Sequence, residues 1–290
     1  MTRVIRVSER GTFKRCRQRW DYSSPARQGL APRGAPTALT FGSLVHAVLE
    51  KWLLEPDIDV EITTVQCANE ELKQLKARYK EAVGVNPNDD ELDAFYQSVE
   101  LAIQLMVGYK EHWGGPLPEG FELVQPEQTL RVPIYPGPVY EDVVLQGTLD
   151  GLLRDTISGQ LFILEHKTYG IRPRVDTLEN NDQFLAYMWM AQKVFGEPIG
   201  GMVYDGMWKR EVTKKRTLDD IYFRTVLTRP QYELDMFASR LVGEIQDMLG
   251  SLNSQPNIYL NRRWEGCHDC PFDKLCQAES KGEDAEYIRK

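Results

Sequence analysis

Two carboxylates and a lysine occupy positions at which two predicted strands can bring them together. Asp150 interrupts the apolar stretch LQGTLDGLL, and Glu165 and Lys167 follow four apolar residues in LFILEHKT. Side chains two residues apart on a strand point to the same face, so Asp150 on a neighbouring strand can meet the other two there. Converging carboxylates favour a cation between them, and a lysine beside it can position a water or neutralise charge on a phosphate. The trio indicates metal-assisted phosphodiester hydrolysis, although an isolated E-x-K pair is also typical of a surface salt bridge.

A second group of chemically capable residues is formed by cysteines near the C-terminus. Cys267, Cys270 and Cys276 follow a C-x2-C-x5-C spacing in GCHDCPFDKLC. Thiolates this close are ligand-like, and four-sulfur sites hold zinc or an iron–sulfur cluster. The fourth ligand would be Cys16, in FKRCRQRWDY, whereas Cys67 lies in a predicted helix and is interpreted as an ordinary buried thiol.

The first half of the chain is predicted to be helical. Apolar residues at helical spacing predict a helix over residues 41–54, FGSLVHAVLEKWLL. The helical pattern continues from about residue 60 to 112, and the GVNPNDD run from Gly84 to Asp90 divides it into two helices.

The second half changes to strand periodicity. Three strands are predicted in FELVQPEQTLRVPI, VVLQGTLDGLLRD and GQLFILEHKT, and a hairpin-like turn over Asp155 to Gly159 joins the last two. A helix over Asn180 to Phe195, a strand in GGMVYDGMWKRE and a helix over Pro230 to Leu252 follow, and the tail from Asn253 onward is predicted to be irregular. This order predicts an α/β core that carries a helical insertion.

Length and composition are those of a soluble globular protein. A chain of 290 residues can bury a sizeable core. It has no apolar run near the roughly 20 residues that cross a bilayer, and its N-terminus lacks the apolar segment of a signal peptide. We therefore expect a cytoplasmic protein without a membrane partner, in a compartment where the five cysteines stay reduced.

The net charge of −8 argues weakly against nucleic-acid binding, but the basic residues are unevenly distributed. Two basic segments could contact phosphates, and ordinary solvated surface charge explains either of them equally well. The first, which contains only two acids (Glu9 and Asp21), comprises Arg3, Arg6, Arg10, Lys14, Arg15, Arg17, Arg19, Arg27 and Arg33. The second comprises Lys209, Arg210, Lys214, Lys215 and Arg216.

The carboxylates and the lysine resemble the PD-(D/E)XK nuclease superfamily, in which a strand carrying Asp precedes a strand carrying (D/E)-x-K. Two further signatures are similar to its RecB-like branch. One is a histidine on an upstream helix, His46 in FGSLVHAVLE. The other is Q-x-x-x-Y on the following helix, Gln183 and Tyr187 in QFLAY, which share a helix face.

The resemblance implies a role for each matched residue. His46, Asp150, Glu165 and the backbone carbonyl of His166 would hold Mg²⁺ or Mn²⁺. Glu50, one turn after His46, could hold that imidazole or form a surface salt bridge.

The remaining matched residues would act on the substrate. Lys167 would serve the attacking water or the scissile phosphate, and Gln183 and Tyr187 would orient Lys167 or the DNA backbone.

The cysteines also match a pattern among RecB-like nucleases. AddB-type helicase-nucleases and CRISPR-associated single-domain nucleases bind a [4Fe–4S] cluster through one cysteine before the nuclease core and three after it. Ser8 to Tyr22 is similar to their N-terminal motif, with Arg17 where the family often has proline. The resemblance thus implies a cluster held by Cys16, Cys267, Cys270 and Cys276, with structural zinc as the alternative.

The implied organisation is a single RecB-like nuclease domain over residues 1–290 with a restriction-endonuclease-like mixed-sheet core. Residues 41–54 form the helix with the ligand histidine, 55–115 a helical insertion, 120–250 the core, and 1–33 with 253–290 the iron–sulfur region. Trp20, Tyr22 and Trp264 would stack on bases or pack in the core.

The implied function is a metal-dependent DNA exonuclease acting on single strands or DNA ends, in recombination, repair, phage DNA metabolism or CRISPR adaptation. The alternative is a catalytically silent or partner-dependent DNA-binding module of a larger recombination or CRISPR complex. The chain lacks G-x-x-x-x-G-K-[ST], so a helicase partner would be a separate chain. Relatives range from monomers to closed rings, which allows a homo-oligomer.

Overall fold

The computed structural model of the chain describes residues 2–31, 37–84, 86–138, 141–213, 215–253, 258–261, 267, 270–282 and 288–289. Its helices are α1 (Val7–Arg15), α2 (Arg17–Ser23), α3 (Thr37–Leu54), α4 (Val60–Val83), α5 (Asp89–Trp113), α6 (Val175–Leu178), α7 (Asp182–Phe195), α8 (Leu218–Ile221), α9 (Gln231–Asn253) and α10 (Asp273–Lys281). Its strands are β1 (Arg3–Arg6), β2 (Leu30–Ala31), β3 (Phe121–Gln125), β4 (Gln128–Ile134), β5 (Val143–Leu149), β6 (Gly151–Asp155), β7 (Leu161–Tyr169), β8 (Ile199–Trp208), β9 (Tyr222–Leu227) and β10 (Ile288–Arg289).

The described strands form three sheets. The largest has the order β3-β6-β7-β8-β9, in which β7 and β8 are parallel and the other neighbours antiparallel. The second has the order β1-β5-β4, with β1 parallel to β5, and the third is the antiparallel pair β10-β2. The predicted mixed-sheet α/β class is therefore confirmed.

The two long strands predicted before the E-x-K strand are each divided, so the prediction of unbroken strands is wrong. FELVQPEQTLRVPI forms β3 and β4, and VVLQGTLDGLLRD forms β5 and β6. The outer halves, β3 and β6, pair in the large sheet, and the inner halves, β4 and β5, pair in the second. Pro126 has no N–H for the strand ladder, and on the other arm of the hairpin the side chain of Asp150 accepts a hydrogen bond from a backbone N–H of β7, so the hairpin bends there.

The predicted helices are present, and local capping explains their ends. The break predicted at Gly84 to Asp90 is confirmed, because Gly84 ends α4 with a φ of 75°. Asn88 then begins α5 through a capping box with Glu91, in which both hydrogen bonds are 2.9 Å long. In the same way the Asn181 side chain accepts a hydrogen bond of 2.9 Å from the Gln183 N–H, so α7 begins at Asp182.

The C-terminal tail is more regular than predicted. The prediction that the chain is irregular from Asn253 onward is wrong, because α10 and β10 lie there. Phe272 and Leu275 are buried with Tyr22 of α2, so contacts with the N-terminal segment stabilise this helix. Short elements of this kind have little local periodicity, which is why sequence reasoning also missed β1, α1, α2 and β9.

Helices pack on both faces of the large sheet. One buried cluster joins α7, α9 and α1 to strand residues such as Met202 and Tyr204, and the other joins α3, α4 and α5 to Met207 and Tyr222. Alternation along β8 sends Tyr204 to the first face and Met207 to the second. None of the described helices is long and apolar enough to cross a membrane.

Candidate active site

Asp150 lies in the bend between β5 and β6, where the two larger sheets meet. Its Oδ1 is 2.9 Å from Nδ1 of His46 on α3, and its Oδ2 accepts a hydrogen bond of 2.7 Å from the backbone N–H of His166 on β7. Burial alone would raise the pKa of Asp150, but the His46 imidazole beside it holds that pKa below its ordinary value. The bend therefore presents an ionised carboxylate between a helix and the E-x-K strand.

Glu165 and Lys167 lie on the same face of β7, as the two-residue spacing predicts. The Lys167 Nζ is 2.5 Å from Oε1 of Glu165, whose side chain is only 2% exposed. Burial and the nearby Asp150 raise the pKa of Glu165, although Lys167 opposes them. Burial would lower the pKa of Lys167, but the Glu165 carboxylate outweighs it and raises that pKa. Lys167 is therefore a protonated donor at neutral pH.

His46 joins this group from α3. Burial would lower its pKa, but the contact with Asp150 raises it overall. A further acid, Glu127, was not among the predicted residues. Its pKa is raised by partial burial and then by Glu50 and Asp150, so its side chain lies close to the site. The signal that could have found it is the β4–β5 register, which pairs Gln128 with Leu149 and so places Glu127 opposite Asp150.

Gln183 and Tyr187 approach from α7. The Gln183 Nε2 donates a hydrogen bond of 2.9 Å to the Tyr187 hydroxyl, as expected for residues one turn apart. Burial, and then the Glu165 carboxylate, raises the pKa of Tyr187 to about 12. The tyrosine ring lies against β5 where Gly147 has no side chain, because a Cβ there would be 2.7 Å from Tyr187 Cε1. The absence of a side chain at Gly147 thus allows the Tyr187 ring of α7 to lie directly against β5.

The His166 side chain points to the opposite face of β7 from Glu165 and Lys167. It is buried, and its Nδ1 lies 3.5 Å from Oδ2 of Asp205 on β8. Asp205 also accepts hydrogen bonds from the Tyr109 hydroxyl at 2.5 Å and from Nε of Arg224 at 2.9 Å. A buried polar network therefore supports His166, which lies between the predicted active-site residues Glu165 and Lys167. The sequence alone did not predict this network.

The donor types at the bend fit a hard divalent cation. Asp150 and Glu165 offer oxygens and His46 offers an imidazole nitrogen, which suits Mg²⁺ or Mn²⁺. In the described part of the chain, however, no three His, Cys, Asp or Glu side chains are grouped at metal-ligand distances. Asp150 is instead paired with His46, and Glu165 with Lys167.

The cysteines implied as cluster ligands lie near one another but form no ligand group among the described residues. The Cys270 N–H donates a hydrogen bond of 3.0 Å to the Cys267 carbonyl. Burial raises the pKa of Cys270, and the nearby Cys16 and Cys267 contribute to that shift. Cys67 is buried in α4, as predicted for an ordinary thiol.

The aromatic residues considered for base stacking are in the core. Trp20 and Tyr22 are each 1% exposed, so the stacking interpretation is wrong for both and the packing alternative is confirmed. Trp20 Nε1 donates a hydrogen bond of 3.0 Å to Glu9. Trp264 lies outside the described residues.

Much of the N-terminal basic segment forms internal ion pairs. Arg10, only 1% exposed, contacts Asp182 at 2.5 Å and Glu244 at 2.8 Å, and Lys14 contacts the same two acids. Arg17 pairs with Asp247. These pairs hold α1 and α2 against α7 and α9, so these three basic residues are engaged by acids and do not form an open phosphate site.

The fold and the site define an α/β protein with a carboxylate and lysine cluster at a bent hairpin. The sequence profile of the PD-(D/E)XK nuclease superfamily matches residues 7–277, and the chain belongs to this superfamily. None of the curated proteins compared with the chain matches it.

Several solved structures are similar to the chain at low identity. A candidate exonuclease from Eubacterium rectale shares 13% identity with a TM-score of 0.44, covering 94% of this chain and 87% of that one. The alkaline exonuclease LHK-Exo from Laribacter hongkongensis shares 14% identity with a TM-score of 0.27, covering 74% of this chain and 95% of that one. At these identities and TM-scores the likeness does not by itself indicate a shared activity.

Proposed function

We propose that the protein is a metal-dependent DNA exonuclease of the RecB-like branch that hydrolyses phosphodiester bonds in single strands or at DNA ends. The observation that carries this proposal is the convergence of Asp150, Glu165 and Lys167 at the bent hairpin. His46 and Tyr187 reach the same place from helices on opposite faces of the sheet. Membership of a nuclease superfamily supports it.

The residues that would hold the metal ion are His46, Asp150, Glu165 and the backbone carbonyl of His166. When bound, Mg²⁺ or Mn²⁺ would polarise a phosphate oxygen and lower the pKa of a water. In the absence of the ion, His46 and Lys167 offset the repulsion between the two carboxylates. Binding would exchange part of these contacts for metal ligation.

The other residues would position charge and donors. The Lys167 ammonium, kept protonated by Glu165, would stabilise negative charge that develops on the phosphate. The Tyr187 hydroxyl, with a pKa of about 12, stays protonated at neutral pH. Because the hydroxyl oxygen accepts the hydrogen bond from Gln183, its proton remains available to donate to an oxygen of the DNA backbone.

The test is degradation of end-labelled single-stranded and duplex DNA with Mn²⁺, Mg²⁺ or EDTA. We expect metal-dependent loss of label from single strands or from duplex ends, and the position of the lost label gives the polarity. Asp150→Asn combined with Lys167→Met is the negative control for a contaminating nuclease. Asp57→Asn combined with Lys76→Met makes the same two chemical changes at exposed positions of the helical region and should leave the activity unchanged. If pure wild-type protein leaves every substrate whole, a partner-dependent binding module replaces the exonuclease.

We further propose that Cys16, Cys267, Cys270 and Cys276 hold a [4Fe–4S] cluster, with structural zinc as the alternative. The packing of Tyr22, which follows Cys16 on α2, against Phe272 supports this, with ring centroids 5.4 Å apart. The effect of Cys16 and Cys267 on the pKa of Cys270 also supports it. A cluster would join the two ends of the domain of residues 1–290, and its binding free energy would add to that of folding.

Cys16→Ala is expected to give a colourless and poorly soluble protein, because it removes the one ligand outside the C-terminal group. Iron, zinc and sulfide analysis with visible absorbance of anaerobically purified protein is the measurement. Cys67→Ala, at a buried cysteine of α4, controls for the loss of a thiol and should retain the absorbance. Wild-type colour and solubility in Cys16→Ala would exclude this ligand set, and zinc without iron would favour the alternative.

A further inference from the structure

Basic and aromatic residues lie at the end of β8 and directly after it, and none of them belongs to the proposed active site. We call the group formed by Trp208, Lys209, Arg210, Lys215 and Arg216 the β8-end surface. It contains the described part of the second basic segment of the sequence. Arg210 and Lys215 are exposed, and the other three are partly exposed.

The parallel register fixes where this surface lies relative to Lys167. Lys167 pairs with Gly206, and Tyr169 pairs with Trp208, two residues further along both strands. The Lys209 N–H continues this pairing with a hydrogen bond of 2.9 Å to the Tyr169 carbonyl. From the strand rise and the spacing between neighbouring strands, the Cα atom of Trp208 lies about 8 Å from the Cα atom of Lys167, toward the carboxyl ends of the two strands. That separation is comparable to one nucleotide step.

The start of α3 borders the same surface. The Lys209 ammonium lies 5.3 Å from the ring centroid of Phe41, which precedes His46 on that helix. A Cβ on Gly42 would be 3.7 Å from Oγ1 of Thr168, next to Lys167 on β7. The β8-end surface and the proposed active site therefore lie next to each other, and α3 borders both of them.

The charges of this surface are available to an anion. No carboxylate of the described residues lies within ion-pair distance of Lys209, Arg210, Lys215 or Arg216. Asp220, whose pKa is lowered first by its hydrogen bonds from Thr217 and to a smaller extent by Arg216, caps α8 by accepting a hydrogen bond of 2.8 Å from the Thr217 N–H. This contrasts with Arg10, Lys14 and their neighbours, whose charges are neutralised by acids of α7 and α9.

The surface also carries a fixed aromatic ring. The Trp208 Nε1 donates a hydrogen bond of 2.9 Å to the Gly170 carbonyl, which holds the indole at the sheet edge. The guanidinium groups of Arg216 and Arg210 lie 5.2 and 5.9 Å from its centroid. Planar cations beside an indole are the combination that single-strand-binding grooves use to stack bases and contact phosphates.

We propose that the β8-end surface binds the nucleotides adjacent to the scissile phosphate and that its ligand is single-stranded DNA. This inference rests on the proposed nuclease function. It places the path of the substrate strand over the protein surface from Lys167 toward Arg210. An unpaired base can stack on Trp208 or on the arginine planes, whereas paired bases in a duplex do not expose their faces. The phosphates on either side of that base would contact Lys209 and Arg210.

The test compares wild-type protein with Lys209→Gln/Arg210→Gln on three ligands. Binding of a labelled oligothymidylate and of a duplex of equal length is followed by fluorescence anisotropy in EDTA over a range of salt concentrations. Hydrolysis of thymidine 5′-monophosphate p-nitrophenyl ester with Mn²⁺ reports on the active site without a neighbouring nucleotide. We expect about 10-fold weaker oligothymidylate binding, and a salt slope smaller by about 1.4 for two lost phosphate contacts. Duplex binding and ester hydrolysis should change less than about 2-fold.

Matched variants separate this effect from a general loss of charge or of folding. Lys73→Gln/Lys76→Gln removes two exposed charges from α4 and should bind as the wild type does. Arg210→Gln alone, at an exposed position, should show about half of the change in salt slope with an unaltered melting curve.

Each remaining outcome overturns a different statement. Wild-type oligothymidylate affinity in Lys209→Gln/Arg210→Gln overturns the inference, and an equal loss on single strands and duplex overturns its assignment to single strands. If the wild type binds oligothymidylate through this surface but hydrolyses neither DNA nor the ester, the proposed nuclease function fails and the binding surface stands.

Discussion

Lys167→Met is expected to slow DNA hydrolysis about 10²- to 10³-fold, the loss typical of removing one preorganised donor from a catalytic site. The Lys167 Nζ lies 2.5 Å from Glu165, and that carboxylate raises the lysine pKa, so the side chain is a fixed positive charge. Methionine keeps a similar unbranched length without the charge. The measurement is the single-turnover rate on single-stranded DNA at saturating Mn²⁺, because it reports the chemical step without product release.

The control for this substitution must separate chemistry from folding. Lys167→Met leaves Glu165 buried without its partner, which is destabilising in itself. Glu165→Gln/Lys167→Met removes both charges and should recover melting temperature without recovering activity. Lys193→Met, at an exposed position of α7, should be fully active. A Lys167→Met rate within a few fold of the wild type would contradict a catalytic role for this lysine.

The parts of the site that sequence could predict depend on local periodicity. Glu165 and Lys167 share a face because a strand has a period of two, and Gln183 contacts Tyr187 because a helix brings residues four apart together. The structure has both contacts, at 2.5 and 2.9 Å. Such pairings need no knowledge of the rest of the chain.

The parts that sequence could not predict depend on contacts between distant segments. The apolar stretch around Asp150 has the pattern of one strand, and its pairing with two different sheets divides it into β5 and β6. Glu127 becomes a neighbour of Asp150 through that same hairpin, and its own sequence context carries no periodic signal. Similarly, a count of positive charge could not reveal that Arg10 is buried between acids of two later helices.

Asp205 illustrates the same limit, and its removal should have the largest effect on stability. Asp205→Ala is expected to lower the free energy of unfolding by about 3–5 kcal/mol, the range found when one partner of a buried ion pair is removed. Asp205 is 0% exposed, and Arg224 and Tyr109 donate hydrogen bonds to it, so the substitution leaves a partly buried guanidinium without its counter-charge. Urea unfolding followed by circular dichroism and tryptophan fluorescence is the measurement, with Asp57→Ala as the exposed control.

A double variant and a pH series test the electrostatic cause. Asp205→Leu/Arg224→Met removes both charges and should cost clearly less than the sum of the two single substitutions. Burial alone would raise the pKa of Asp205, but His166, and then Arg224 and Tyr109, hold it below its ordinary value. The stability that Asp205 adds is therefore present above its unfolded pKa of about 3.9 and is lost as pH falls through the lower folded value. The difference between wild type and Asp205→Ala should be constant near pH 7 and shrink below about pH 4. A difference that persists unchanged in acid would mean that packing around Asp205, and not its charge, holds α5 and β9 behind the active-site strand.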